Sequence, residues 1–317
     1  MNALVIPSIR EKNLLQFLNK WGQLPLEVFV VEDNPTKQFT SLGIEHHYSW
    51  SEIEKILGDD NWIISRRDSA IRSFGFLMAY RAGAEYIYTL DDDCAPVLNN
   101  GMITFVEDHQ DAIINNTRWT ESYQGQRTRG IPYKNKGNTN VVLNMGLWYG
   151  HPDLDSVQTL SGFEEQWEHK DIPTRIMPVG QYFPLCGMNM CFKRELTPLM
   201  YFPLMGEGYI YRRFDDIWCG IIMKKVCDHL GSFVTCGPPY IIHEKASDPF
   251  VNLVKEAPGI AANENFWETI DKIQLTGTNY VDCMEEIGKN LETNQDSYLK
   301  TLGKAIVAWS HLFQSME

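Results

Sequence analysis

The chain has 317 residues, 44% of them hydrophobic, enough to bury the core of one large α/β domain. Its net charge of −13 excludes nucleic acid as the main partner, because a phosphate backbone calls for a basic face. No apolar run reaches the length of a membrane span, and Met1-Asn2-Ala3-Leu4-Val5-Ile6 lacks the basic region of a signal peptide. Seven cysteines, odd in number and without a C-x-x-C pair, read as reduced thiols of a cytoplasmic protein rather than a disulfide framework or a zinc site.

Taken in order, Leu4-Val5-Ile6 is a strand and Leu14, Leu15, Phe17, Leu18 and Trp21 trace an amphipathic helix. Glu27–Val31 is the next strand, Ile44 to Tyr48 a short one, and Ser49-Trp50-Ser51-Glu52 a helix start. Trp62-Ile63-Ile64 reads as a fourth strand, followed by a helix whose Ile71, Phe74, Gly75, Met78 and Ala79 share one face. Tyr86–Leu90 is then a buried strand that stops on Asp91-Asp92-Asp93. This alternation implies a doubly wound, mostly parallel sheet flanked by helices, with ligand at the strand C-termini.

Beyond Asp93 the spacing predicts a helix at 102–109, then an irregular stretch over 111–180 with short strands such as Asn140–Leu143. Asp215-Asp216 opens a helix running to about His229, and Ser232–Thr235 and Tyr240–His243 read as two closing strands. Amphipathic helical segments follow at Phe266–Leu275, Val281–Leu291 and Tyr298–Phe313. The expected organisation is a catalytic domain over 1–262 and a C-terminal helical segment over 263–317, packed on it or on a partner.

Four strand ends bring polar groups to one edge: Pro7 to Arg10, Asp33, Asp68 with Arg72, and Asp91 to Asp93. The triplet alone is equally a solvated acidic turn. With the other three ends it outlines a crevice for a base, a ribose and a metal-bound diphosphate, since hard cations take oxygen ligands and keep substrate phosphates in their open positions. Neither G-x-G-x-x-G after the first strand nor a P-loop is present, which disfavours dinucleotide redox and P-loop chemistry.

A strand ending in Asp-Asp-Asp resembles the Asp-x-Asp signature of GT-A-type glycosyltransferases. Asp68–Gly75, Phe183–Asn189, Met205–Gly208, Phe214–Trp218, Cys227–Gly231 and His243–Leu253 resemble, more specifically, the reversibly glycosylated polypeptide family, whose plant members are UDP-arabinopyranose mutases. The resemblance implies a GT-A-like fold and a UDP-sugar substrate. It also implies a divalent metal, Mn²⁺ or Mg²⁺, on Asp91, Asp93 and His243. Pro7, Arg10, Asp33, Asp68, Arg72, Asp91 and Asp92 would then hold the nucleotide, with Lys245 on phosphate. Asp215 and Asp216 match the acidic pair facing the acceptor, although as a helix start they are equally a cap. Thr128-Arg129-Gly130-Ile131-Pro132-Tyr133, ahead of Gly146-Leu147-Trp148, matches the family's glycosylated-arginine segment and assigns that role to Arg129, with Arg127 its near neighbour.

Members of the family tend to assemble, which implies a homo-oligomer. Asn144-Met145 stand where the plant proteins have Ser-His, and 155–180 keeps little of the plant arginine-rich stretch; these departures concern the acceptor side. The leading expectation is a UDP-sugar mutase using a glycosyl-Arg129 intermediate. A GT-A transferase to an external acceptor and a self-glycosylating UDP-sugar-binding subunit are the competing readings.

Overall fold

The parallel half of the sheet is built on the most buried strand near the N-terminus. In the computed structural model, which describes residues 1–40, 43–119, 129–162, 172–244 and 248–314, β1 (Asn2–Ser8) pairs in parallel with both β2 (Glu27–Glu32) and β4 (Tyr86–Leu90). β3 (His46–Tyr48) extends this half beyond β2, again in parallel. The crossovers are the helices α1 (Glu11–Trp21), α2 (Trp50–Leu57) and α3 (Arg72–Arg81). α3 lies close on the sheet because Gly75 has no side chain: a Cβ there would stand 2.9 Å from Val31 Cγ2 and closer still to Val5 Cγ1.

The strand expected at Trp62–Ile64 is instead the end of a 3₁₀ helix over Gly58–Ile63. Ile63 and Ile64 are buried, which is the apolar signal in the sequence, but the Ile63 carbonyl accepts from Tyr201 Oη at 2.6 Å and enters no ladder. A short apolar run does not by itself separate a strand from a buried helical turn.

Past β4 the sheet turns mixed. β5 (Cys94–Pro96), α4 (Phe105–Ile114), β6 (Val141–Gly150), α5 (Ser156–Leu160), β7 (Arg175–Ile176), β8 (Asn189–Lys193), α6 (Asp215–Leu230) and β9 (Phe233–His243) follow in the chain. The strand order is β3-β2-β1-β4-β8-β6-β9-β5, with β7 on β9. β8 runs antiparallel to β4 and β6, and β9 antiparallel to β5 and β7, while β6 and β9 pair in parallel. Among the described residues, three of the four parallel pairings thus lie in the N-terminal half, between β1 and β4.

The two expected closing strands are one, β9. Its register against β6 jumps between Gly146/Gly237 and Leu147/Tyr240, leaving Pro238 and Pro239 in a bulge. Prolines have no N–H for a ladder and belong at such places. The carbonyls the bulge frees are taken by Asn144 Nδ2 (Pro238, 2.9 Å) and Asn189 Nδ2 (Pro239, 3.0 Å).

The C-terminal helices are α7 (Pro249–Asp271), α8 (Tyr280–Glu292) and α9 (Ser297–Gln314). The boundary expected at 262/263 lies inside α7, which runs unbroken through it. α9 packs on the catalytic body: Trp309 is buried with its Nε1 donating to the Pro198 carbonyl at 3.0 Å, and Phe313 meets Tyr80 edge-on at 4.9 Å. No helix among the described residues is long and apolar enough to cross a membrane.

Candidate active site

Because β1, β2 and β4 are parallel, their C-terminal ends open on one edge, where open α/β sheets take ligands. Two adjoining cavities occupy it. The first, about 480 Å³, is walled by the Pro7–Arg10 turn after β1, Asp33 after β2, Asp68 and Arg72, and Asp91 to Asp93 after β4. The second, about 340 Å³, lies between the 152–155 loop after β6, residues 186–188 before β8, Asp215 and Asp216 at the start of α6, and His243 at the end of β9. Arg10, Ser69, Arg72, Asp91, Asp93 and Arg213 face both, so the two form one cleft.

Arg72 organises the junction from below. It is buried, and its guanidinium donates to Asp91 Oδ1, to the Gly187 carbonyl, to Thr89 Oγ1 at 3.0 Å and to the Ser69 carbonyl at 3.1 Å. The charge-assisted bond to Asp91 fixes one oxygen of that carboxylate at the mouth of β4. Asp92 turns back to Ser8 Oγ, which donates to it at 2.6 Å, with Arg10 3.7 Å away. Burial raises the Asp92 carboxyl against those stabilising contacts. Asp93 is pushed up to about 6, first by burial and then by Asp91 and Asp92, with His243 opposing.

Asp33 accepts from Trp50 Nε1 at 2.7 Å and from the Asp68 backbone N–H at 2.9 Å, while burial raises it. Arg67 lies over the Trp50 ring at 5.0 Å and donates to the Asp33 carbonyl at 3.2 Å, so Trp50, outside the cavity lining, braces the Asp33–Arg67 end of the first cavity from behind. Asp68 is lifted to about 6 by burial, and Asp33 and Asp216 add to the rise. Asp215 accepts from Ser69 Oγ at 2.9 Å and is raised to about 7 by burial and by Asp68. Asp216 holds the Gly187 N–H at 2.9 Å and is raised further, by burial and then by Asp215 and Asp153.

Asp91, Asp93 and His243 all line the second cavity. His243 Nδ1 donates to the His151 carbonyl at 3.0 Å, which fixes the orientation of the ring. Two carboxylates that repel each other and an oriented imidazole are a donor set suited to Mn²⁺ or Mg²⁺. Among the described residues, however, the three donors that stand within 4.8 Å of one another are Asp153, Cys186 and Asp216, not this set.

Of the expected site residues, Pro7, Arg10, Asp33, Asp68, Arg72, Asp91, Asp92, Asp93, Asp215, Asp216 and His243 are brought into the cleft. Arg129 is not: it is exposed, in a turn with Gly130 at φ 101°, and lines neither cavity. Lys245 and Arg127 lie outside the described residues. Sequence reasoning missed Arg67, Arg212, Arg213 and Lys255, the basic wall of the first cavity. Arg212-Arg213 immediately precede the Phe214-Asp215-Asp216 anchor, and that adjacency was the available signal. Arg67 (φ 58°) and Arg213 (φ 62°) hold left-handed backbone without being glycine, the kind of local cost that collects at functional clefts.

The model of the reversibly glycosylated polypeptide family matches residues 2–317. The chain belongs to this family. It is 35% identical over 331 residues to the Zea mays protein named probable UDP-arabinopyranose mutase 1, covering 96% of this chain and 88% of that one. It is 34% identical to UDP-arabinopyranose mutase 1 of Arabidopsis thaliana (96% and 90% covered) and 33% to mutase 3 of the same plant (99% and 91%). A solved structure, A197 from STIV, matches 74% of this chain and 81% of its own at 14% identity and a TM-score of 0.32, too distant to carry an argument.

Two residues noted as departures from the plant members of the family have definite places. Asn144 Oδ1 accepts from Thr235 Oγ1 at 2.9 Å, and its Nδ2 meets His109 Nδ1 at 2.9 Å beneath the β9 bulge. Met145 Sδ accepts the Cys186 N–H at 3.3 Å, directly behind the second cavity. Met145 therefore backs the second cavity, while Asn144 braces the β9 bulge.

Proposed function

We propose that this chain is a metal-dependent UDP-sugar mutase that interconverts pyranose and furanose forms of a UDP-L-arabinose-like nucleotide through a reversible glycosyl-arginine at Arg129. The observation that carries the reading is the two-part cleft, basic and acidic around a diphosphate-sized space and carboxylate-lined beside it, in a chain similar along 96% of its length to proteins named UDP-arabinopyranose mutase. The uracil and ribose are assigned to the Asp33–Arg67–Asp68 end, the diphosphate to Arg10, Arg212, Arg213 and Lys255, and the sugar to the second cavity.

Asp91, Asp93 and His243 would hold Mn²⁺ or Mg²⁺, which when bound neutralises the diphosphate and stabilises UDP as leaving group. UDP departs with the C1–O bond pair as a nitrogen lone pair closes the C1–N bond. A guanidinium is otherwise always protonated, so a carboxylate, Asp215 or Asp216, must take its proton. The support for Arg129 is its sequence match and its accessible side chain. Its place outside both cavities favours a second reading, transfer of the sugar to an external acceptor. Intact and peptide mass spectrometry after incubation with UDP-arabinopyranose and Mn²⁺ tests the point: one pentose on the Arg129 peptide, removed by added UDP, is expected. An unmodified Arg129 in protein that still turns over would remove it from the mechanism.

A cytoplasmic location belongs to the same proposal, supported by seven free thiols, six of them buried. Self-association completes it and is read by light scattering.

A further inference from the structure

Asp153 is a carboxylate of the second cavity that no motif singled out. It stands on the 152–155 loop, opposite Asp216, with Cys186 between; donor atoms of the three all lie within 4.8 Å of one another. Both sides are held in place. Asp216 Oδ2 accepts the Gly187 N–H at 2.9 Å and Oδ1 its neighbour Ile217 N–H at 2.8 Å. The Asp153 loop is tied down one turn later: Asp155 Oδ1 caps α5 by accepting the Gln158 N–H at 2.8 Å, and the Ser156 N–H donates to buried Glu256 at 2.7 Å. Glu256 in turn accepts from Arg213 Nε at 2.7 Å, so the loop is linked to the basic wall of the diphosphate cavity.

Burial raises Asp216, and Asp215 and Asp153 add to the rise, as carboxylates gathered in one site oppose each other's ionisation. A hard cation is a poorer occupant of the gap. One of the three donors is a buried thiol that burial keeps protonated, and hard cations prefer oxygen. Asp215 is turned away to Ser69 and is not the partner.

Resting on the mutase reading, we propose that Asp153 and Asp216 form a carboxyl pair that passes one proton in sugar-ring opening and reclosure, with Asp153 a catalytic residue of this chain. In the C1–N-linked sugar, the nitrogen lone pair forms C1=N as the C1–O5 bond breaks. O5 keeps the bond pair and takes the pair's proton. O4 then attacks C1, the C1=N π pair returns to nitrogen, and the O4 proton passes to the now doubly ionised pair. One proton is given and one regained, and the reverse ring change uses the same two groups with roles exchanged. The charged and titratable groups that line the cavity with the pair are Arg10, Arg72, Arg213, Asp91, Asp93, Asp155, Asp215, Glu256, Cys186 and His243.

The test uses the full chain with UDP-arabinopyranose and Mn²⁺, following the pyranose-to-furanose ratio of the nucleotide with pH, and UDP affinity by calorimetry. Asp153 is exposed, so Asp153→Asn is not expected to disturb folding. It is expected to lower kcat by roughly 10²–10⁴-fold, the usual share of a general acid–base group, to leave UDP affinity unchanged and to abolish one limb of the pH profile. Asp153→Glu restores part of kcat and that limb. A kcat in Asp153→Asn close to that of the unsubstituted chain, or a profile with both limbs intact, overturns the pair alone. No interconversion by the unsubstituted chain overturns the mutase reading, and the pair with it.

Discussion

Replacing Arg72 by methionine removes the guanidinium beneath the cleft while keeping most of the side-chain volume. In the folded protein it donates to Asp91, Thr89, Gly187 and Ser69, and only 1% of its side chain is exposed. Removing one partner of a buried pair costs about 3–5 kcal/mol. Asp91 is 35% exposed, so water recovers part of its share and the ion pair alone sits near the lower end of that range. The Gly187 carbonyl left without its donor adds about 1–3 kcal/mol. A total loss of about 4–6 kcal/mol follows, read in urea unfolding as a lower midpoint at unchanged slope. In a thermal scan the same loss lowers Tm by on the order of 10 °C. UDP affinity measured with Mn²⁺ falls as well, because Asp91 loses the contact that aims it. A stability loss under about 1 kcal/mol would refute the reasoning, since it would mean water already satisfies these acceptors.

Asp68 gives a pH signature of defined sign. Burial lifts its folded pKa to about 6 from the ordinary 3.8, so the folded state holds the proton more tightly than the unfolded chain, and this group's contribution is full at low pH and lost as pH rises between those two values. Asp68→Asn should therefore gain in stability relative to the unsubstituted protein as pH is raised from about 4 to 7; a difference independent of pH in urea titrations without metal would contradict the shift. Gly206→Ala tests the seam between the basic loop and the 65–67 turn. A Cβ there would lie 2.6 Å from Ser65 Oγ and closer still to the Arg66 carbonyl, and the expected cost is about 3 kcal/mol with weakened UDP binding, whereas an unchanged unfolding midpoint would refute it.

The legible part of the fold was the part where local pattern and topology agree. β1, β2 and β4 are short apolar runs ended by polar residues, and amphipathic spacing marks α1 and α2, whereas α3 is buried on nearly every side; the cleft edge and its residues from Arg10 to Asp93 follow from the strand ends. Ile63-Ile64 misled because burial, not strand pairing, selects apolar residues there. β9 was split because the Pro238-Pro239 bulge breaks the alternation that marks a strand, while Asn144 and Asn189, far away in sequence, repair it in space. Asp153, Lys255 and Glu256 carry no local signal: a loop aspartate and two helix residues acquire meaning only when β6 and α7 bring them to the cleft. Arg129 is the opposite case, distinct in sequence and exposed in the fold.

The central claim is ring interconversion of a UDP-sugar, and it is tested most directly by incubating the full chain with UDP-arabinopyranose and Mn²⁺ and separating the nucleotide products. The account predicts UDP-arabinofuranose at equilibrium with the pyranose and no net release of UDP. Free UDP together with a new glycoside, or recovery of the pyranose alone, would contradict it.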